Sequence, residues 1–228
     1  MEPHKQLDSS TESFRPPFEN PKAYFAKALE FARANYAEQM DQIGSVKHEL
    51  VDPDHFFIEY TWVVHATGFS AKAVGKFMPR LVEAYGPYEE LAERSLDKAV
   101  GRVKVVCNNP QKIKAVHTTA RLLRDGIKTL GWEKFRQEKL STPEKLQELP
   151  YIGPVTRYHL ARNIGLLDCV KPDLHLIRLA KHWGFPDCVT MCKEMGEGSG
   201  LPLGIVDLVV WYAASHFGTL GLREEGDR

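Results

Sequence analysis

The residues with the clearest capacity for chemistry lie between positions 149 and 178, in LPYIGPVTRYHLARNIGLLDCVKPDLHLIR. This stretch holds one aspartate after a proline, Asp173, with Lys171 two residues before it. An aspartate ahead of an apolar helical pattern is typical of a helix N-cap. A carboxylate can also stabilise developing positive charge or activate a water molecule. Asp173 is therefore interpreted as a structural cap or as a catalytic group, and the residues alone leave both open.

The turn upstream of Asp173 has the features of a phosphate-binding site. The sequence L-P-Y-I-G at positions 149–153 joins two helical patterns, and Thr156 begins the second. The first amides of a helix lack intrahelical partners and lie at the positive end of its dipole, so they attract anions. Gly153 permits close backbone approach, and Arg157 adds positive charge. We expect DNA contacts from Gly153, Val155, Thr156 and Arg157, with an ordinary corner between helices as the alternative.

Composition and charge limit the class of protein. The chain has 228 residues, 43% of them apolar, and 30 basic residues balance 30 acidic ones. This balance argues against a purely electrostatic binder but allows a local basic face. Four cysteines are present, and only Cys188 and Cys192 are close in sequence, so a structural zinc site is not expected. With no signal peptide and no long apolar run, we expect a cytoplasmic protein, associated with the nucleoid, and no membrane contact.

The elements that must position these residues all have helical patterns. Apolar residues recur at helical spacing, and no segment alternates in the manner of a strand. The fold class predicted is all-α, with about ten helices and short connections. Residues 1–20 are polar and lack a period, which predicts a flexible N-terminal arm. Pairs typical of helix starts stand at Asn20-Pro21, Asp52-Pro53 and Thr142-Pro143.

The hairpin and its aspartate together resemble the helix-hairpin-helix DNA glycosylase superfamily. Its members carry L-P-x-φ-G-x-x-T, with φ an apolar residue, followed by an aspartate about twenty residues later, and this chain has both. The resemblance to endonuclease III extends upstream. FFIEYTWVVHATGFSAKAVGKFMP is similar to the segment that carries Q-A-T-D-x-S there, with His65 in place of the glutamine, and NNPQKIKAVHTTARLL is similar to the N-x-K-A-x-x-I segment. Residues 50–217 are covered.

The resemblance implies a two-lobed helical architecture with the DNA cleft between the lobes. It predicts one glycosylase domain over residues 21–228. A central lobe would span residues 60–165, with the hairpin at 146–165, and the other lobe would combine 21–59 with 166–228. It also implies a sodium or potassium ion held by the backbone carbonyls of Gln147, Leu149 and Ile152. Tyr151 departs from the pattern, because glycine is common at that position, and this puts the turn geometry in question.

The resemblance further implies that Asp173 is the essential carboxylate of base excision. It would stabilise the oxocarbenium-like transition state and orient a water molecule. Lyase members place a nucleophilic lysine one position before the threonine, and here that position is Val155. A monofunctional glycosylase is expected, with Lys171 as an alternative nucleophile for a bifunctional enzyme. No cysteine follows Cys192, so no iron–sulfur cluster, and no other required cofactor, is expected.

The remaining expectations concern double-stranded DNA as partner and the extruded base. By position, His65 with Thr67 is the candidate wedge that fills the gap left by the base. Available pocket residues are Tyr60, Trp62, Trp211 and Tyr212, and further candidate phosphate contacts are Lys72, Lys76, Lys112, Lys114 and Arg121.

The chain is expected to be monomeric. The base stays open among alkylated purines, mismatched thymine or uracil, oxidised bases and modified cytosine, in repair or in defence against viral DNA. A non-catalytic DNA-binding module is the rival from another class.

Overall fold

The computed structural model describes residues 20–69 and 71–217 of the chain, and within these ranges it is all-helical. Its described part contains no β-strand, which confirms the predicted fold class, and no helix in it is long and apolar enough to cross a membrane. The predicted N-terminal arm, apart from Asn20, lies outside the described residues. The helices are α1 Pro21–Ser45, the 3-10 helix η1 His48–Leu50, α2 Pro53–Ala66, α3 Ala71–Tyr85, α4 Tyr88–Glu93, α5 Leu96–Val103, α6 Pro110–Leu130, α7 Trp132–Lys139, α8 Pro143–Leu146, α9 Thr156–Asn163, α10 Leu174–His182, α11 Cys188–Gly196 and α12 Leu203–Phe217.

Three helix starts follow the predicted pattern of a capping side chain and a proline. Asn20 accepts hydrogen bonds from the first-turn amides of α1, and Asp52 accepts one from the amide of His55. Thr142 accepts from the amide of Lys145 at the start of α8. Each cap satisfies backbone donors that have no partner inside the helix. The predicted starts of α1, α2 and α8 are confirmed.

The buried apolar residues form two clusters. The first is built between Val51 and Ile164, by helices α2 to α9. The second combines α1 with α10, α11 and α12, so the beginning of the chain packs against its end. Phe56 and Phe57 belong to the first cluster, whereas the predicted lobe boundary lies at residue 60. The catalytic candidate Asp173 lies on the segment that returns from the first cluster to the second.

Gly165 is the point where the end of α9 meets the linker between α1 and α2. Its φ is +83°, and a Cβ there would lie 2.6 Å from the carbonyl oxygen of Val46 and 2.7 Å from the amide nitrogen of His48. The imidazole Nδ1 of His48 lies 3.1 Å from the carbonyl oxygen of Ile164. Only glycine fits this contact, because any side chain would strike backbone rather than a movable group.

Gly165→Ala should therefore destabilise the protein more than alanine does at another left-handed glycine. Gly184 is the matched control, since its φ is +73° and no heavy atom lies within 4 Å of an added Cβ. Gly184→Ala should cost about 1 kcal/mol for the backbone conformation alone. Gly165→Ala should cost about 3 kcal/mol or more, because the clash adds to that strain. Urea denaturation measures both free energies of unfolding, and equal losses would contradict the close packing of this junction.

Candidate active site

A cleft of about 930 Å³ is lined by residues from both apolar clusters. The first cluster contributes α2, the turn at residues 67–69 and α9. The second contributes α1 and α12, and the loop at residues 171–174 completes the wall. Of the residues predicted from the sequence, the cleft brings together Asp173, Val155, Thr156, Thr67, Trp62, Trp211 and Tyr212.

Asp173 is a helix cap, and it is also one of the residues that line the cleft. It is the N-cap of α10, where its Oδ1 accepts a hydrogen bond from the amide of Leu176 at 3.1 Å. Its Oδ2 is buried and has no hydrogen-bond partner within the described part of the chain. The side chain is 12% exposed, and the Nζ of Lys171 lies 4.0 Å from Oδ2. The two interpretations of Asp173 are therefore compatible, because Oδ1 serves as the cap while Oδ2 makes no hydrogen bond in the described residues.

Lys171 lines the same cleft and is largely enclosed. Its side chain is 20% exposed. Burial lowers the pKa of Lys171 from its ordinary value, and the nearby carboxylate of Asp173 opposes this shift. A lowered pKa favours the neutral amine, which is the form that acts as a nucleophile. The structure thus places the amine of Lys171 and the carboxylate of Asp173 side by side in one wall.

A buried ion pair fixes the loop that carries Lys171 and Asp173. The Oδ2 of Asp207, on α12, accepts from the Nη1 of Arg162 at 3.3 Å and from the backbone amide of Lys171 at 2.9 Å. The side chains of Arg162 and Asp207 are 8% and 2% exposed. Burial raises the pKa of Asp207 to about 6, against the opposing effects of Arg162 and the Lys171 amide. One carboxylate therefore joins α9, α12 and the loop at residues 171–174.

The hairpin turn between α8 and α9 keeps a left-handed residue although position 151 is a tyrosine and not a glycine. Tyr151 has a φ of +66°, a conformation that costs a non-glycine residue about 1 kcal/mol. The Gly153 amide donates to the hydroxyl oxygen of Thr156 at 2.8 Å, which closes the turn. The hydroxyl of Tyr60 donates to the carbonyl of Pro150 at 2.5 Å. Tyr60 is fully buried and does not line the cleft, so it supports the hairpin rather than forming the predicted base pocket.

Arg157 braces the hairpin from within. Its guanidinium donates to the Oε1 of Gln147 at 2.8 Å, lies 3.5 Å from the carboxylate of Glu144, and packs over the ring of Tyr158. Arginine side chains hold planar partners well because their donors are fixed in a fork. A phosphate contact by Arg157, as predicted from its position, would have to compete with these partners.

His65 is buried and lies away from the cleft surface. Its exposed fraction is 0%, and its Nε2 lies 2.9 Å from the hydroxyl of Tyr85. Burial lowers the pKa of His65 to about 4, with Lys112 contributing. In this conformation the ring cannot enter a base stack, which corrects its prediction as the wedge. Lys112 is likewise buried, so it does not contact phosphate as predicted, and the side chain of Lys72 lies outside the described residues.

His159, Asn163 and Glu59 are polar residues of the cleft that were not predicted from the sequence. His159 and Asn163 follow Val155 at intervals of four, so they share the cleft-facing side of α9, and this spacing was the available signal. Burial, with Arg162 and Lys171 nearby, holds the pKa of His159 well below its ordinary value, so its imidazole is neutral at pH 7. The amide of Asn163 donates to the Oε2 of Glu59 at 2.7 Å, and burial raises the pKa of Glu59.

The predicted cation site consists of the backbone carbonyls of Gln147, Leu149 and Ile152, and few backbone hydrogen bonds occupy them. The carbonyl of Leu149 accepts from the amide of Ile152 at 3.2 Å, which leaves one lone pair. Within the described ranges, no backbone hydrogen bond outside the helices ends on the carbonyl of Gln147 or of Ile152. Each of the three carbonyls therefore has a lone pair that these backbone hydrogen bonds leave unused, and the cation site stays a prediction. Elsewhere in the described residues, no group of three or more His, Cys, Asp or Glu side chains could hold a metal ion.

The fold is that of a helical DNA glycosylase. The structure is similar to the crystal structure of the 8-oxoguanine glycosylase/lyase of Methanocaldococcus jannaschii in complex with a 15mer DNA containing 8-oxoguanine. The TM-score is 0.57 with 16% identity, over 83% of this chain and 96% of the other. No protein-family model and no curated protein matches the chain.

The buried carboxylate of Asp207 should give the protein a distinctive pH dependence of stability. Its pKa is about 6 in the folded state, against 3.8 as the ordinary value, so the folded state binds this proton more tightly than the unfolded chain. The free energy of unfolding should therefore fall as the pH rises from about 4 to about 6. Relative to Asp207→Asn, the wild type should lose up to about 3 kcal/mol over that range. Urea denaturation from pH 4 to 7 tests this, and a constant difference would contradict it.

Proposed function

We propose that this protein is a DNA glycosylase that hydrolyses the N-glycosidic bond of a base extruded from double-stranded DNA. The single observation that carries the proposal is Asp173, which lines the cleft, caps α10 through Oδ1 and has an Oδ2 that makes no hydrogen bond in the described structure. The glycosylase fold and the hairpin beside the cleft support it.

The proposed chemistry depends on charge stabilisation. Breaking the bond between C1′ and the base builds positive charge on the sugar, and the Oδ2 of Asp173 would lie against that charge. Enclosure strengthens the attraction, because less water screens it. The base would leave with the electron pair of the broken bond. The same carboxylate would orient the water molecule that adds to C1′, and the proton that this water loses would pass through the carboxylate to the departed base. The product is an abasic site in an intact strand.

The hairpin would bind the DNA backbone near the reacting sugar. Val155 and Thr156 line the cleft at the start of α9, where first-turn amides favour a phosphate. A sodium or potassium ion on the carbonyls of Gln147, Leu149 and Ile152 would add positive charge at the same turn. Val155 itself, 37% exposed, occupies the position of the lyase lysine and offers no nucleophile. This favours a monofunctional enzyme that uses water.

A glycosylase with lyase activity is the second candidate, and Lys171 favours it. Its Nζ lies 4.0 Å from the Oδ2 of Asp173, and its pKa is lowered by burial. In this mechanism the amine attacks C1′, the base departs, and a Schiff base to the opened sugar permits strand cleavage. Asp173 would then assist the proton transfers of Lys171 instead of orienting water.

The cleft also supplies groups that could hold the extruded base. Trp62, Trp211 and Tyr212 offer aromatic surfaces for stacking, and His159 with the Glu59–Asn163 pair offers hydrogen-bonding groups.

We propose a monomeric, cytoplasmic enzyme with duplex DNA as its partner. Mass spectrometry of bases released from alkylated, mismatched, oxidised and virally modified DNA would identify the base, and would separate repair from defence against foreign DNA. No release from any of these would favour the rival, a non-catalytic DNA-binding module.

Asp173→Asn should abolish base release while DNA binding persists. Asparagine retains the capping oxygen of α10 but not the charge that stabilises the transition state, so the rate should fall at least about 100-fold. Asp187→Asn is the matched control, because Asp187 caps α11 in the same way and is exposed, away from the cleft. Single-turnover base release and DNA binding by anisotropy measure both effects. Unchanged release by Asp173→Asn would rule out the proposed mechanism.

The two proposed mechanisms, hydrolysis by water and attack by Lys171, form different bonds to the sugar. For the monofunctional enzyme, strand breaks should appear only after alkali, and borohydride should trap no protein–DNA adduct, since water is the nucleophile. Trapping that Lys171→Gln abolishes, while the exposed control Lys104→Gln retains it, would instead establish the lyase.

A further inference from the structure

The turn after α2 carries an exposed aromatic side chain at the cleft. Phe69 is 51% exposed and lines the cleft together with Thr67 and Gly68. Gly68 adopts a φ of +81°, and the amide of Phe69 donates to the carbonyl of Ala66 at 3.0 Å. About half of this apolar ring is in contact with water, and burying that surface against another apolar group would be favourable. The turn therefore holds this ring at the place where DNA would enter.

The buried side chain of Lys112 holds the turn at residues 67–69 through hydrogen bonds to backbone carbonyls. The Nζ of Lys112, which is 2% exposed, donates to the carbonyl oxygens of His65 at 3.1 Å and Thr67 at 2.5 Å. The same ammonium lies 4.9 Å from the centroid of the Phe69 ring. These contacts replace the water that the charge lost on burial. They also cap the carboxyl end of α2, so the position of Phe69 is set by a rigid element.

The same ammonium connects Phe69 to the hairpin. It lies 5.9 Å from the centroid of the Tyr151 ring, the residue that keeps a left-handed backbone in the turn. Tyr151 is 39% exposed. One charge thus holds two aromatic side chains, on the α2 turn and on the hairpin turn that would grip phosphate. Their separation is fixed by Lys112 rather than by the DNA.

We propose that Phe69 is the side chain that enters the base stack and fills the space left by the extruded base. This rests on the proposed function, because it assigns a residue to the DNA distortion which that reaction requires. An aromatic ring stacks on either neighbouring base, whatever its identity. Apolar side chains, phenylalanine among them, are the kind that proteins insert between base steps. Thr67, the other predicted wedge residue, has a short side chain whose hydroxyl donates to the carbonyl of Val63 at 3.0 Å, so it offers no ring for stacking.

The test uses a duplex with a tetrahydrofuran abasic analogue, in which the space is already open and no base needs excision. The wild type should bind it about tenfold more tightly than the intact duplex, since stacking of one ring is gained. Phe69→Ala should bind both duplexes equally, and Phe69→Leu should keep part of the preference. Leu122→Ala is the control, since Leu122 is also an exposed apolar residue but lies on α6 outside the cleft. Circular dichroism establishes that each variant is folded.

A wild-type preference that Phe69→Ala retains would overturn the proposal, and so would a wild type with no preference. Asp173→Asn should keep the full preference, because it alters the reacting centre and not the stack. A preference that depends on Phe69, in a protein that releases no base, would support insertion while rejecting the glycosylase.

Discussion

The buried pair of Arg162 and Asp207 is the interaction on which the arrangement of the site depends. One carboxylate, 2% exposed, holds a guanidinium from the second hairpin helix and the backbone amide of Lys171. These contacts tie the hairpin to the loop that carries Asp173. A pair so deeply buried is costly to desolvate and contributes little to stability by itself. Its contribution is geometric, because it links α9 of the hairpin to the loop that holds the Asp173 carboxylate.

Much of the architecture could be predicted from local sequence. Helix starts at Asn20, Asp52 and Thr142 were predictable because a capping side chain and a proline act within a few residues. The hairpin and Asp173 were predictable from spacing, and both lie at one cleft. The packing of α1 against α11 and α12 could be predicted only from the resemblance to a known family, because contacts between distant segments leave no local pattern in the sequence.

The errors concern side chains whose environment is tertiary. His65 and Tyr60 both lie on α2, which borders the cleft, but their side chains are buried. His65 contacts the hydroxyl of Tyr85, and Tyr60 donates to the carbonyl of Pro150. Helical spacing alone does not say which side of an apolar helix faces a cleft when both sides are covered. One feature of the sequence pointed to Asp207, because it is the single aspartate or glutamate within the mostly apolar pattern of α12. An acidic residue in such a helix is expected to have a buried partner, but the pattern does not identify that partner.

The central claim is that Asp173 stabilises positive charge on a sugar in the cleft. The most direct measurement compares the affinity for two duplexes, one with a cationic pyrrolidine ring at the sugar position and one with the neutral tetrahydrofuran ring. Since the cation mimics the transition state, the account predicts that the wild type binds the pyrrolidine duplex at least about 100-fold more tightly. It also predicts that Asp173→Asn loses this difference. Equal affinity of the wild type for the two duplexes would contradict the account.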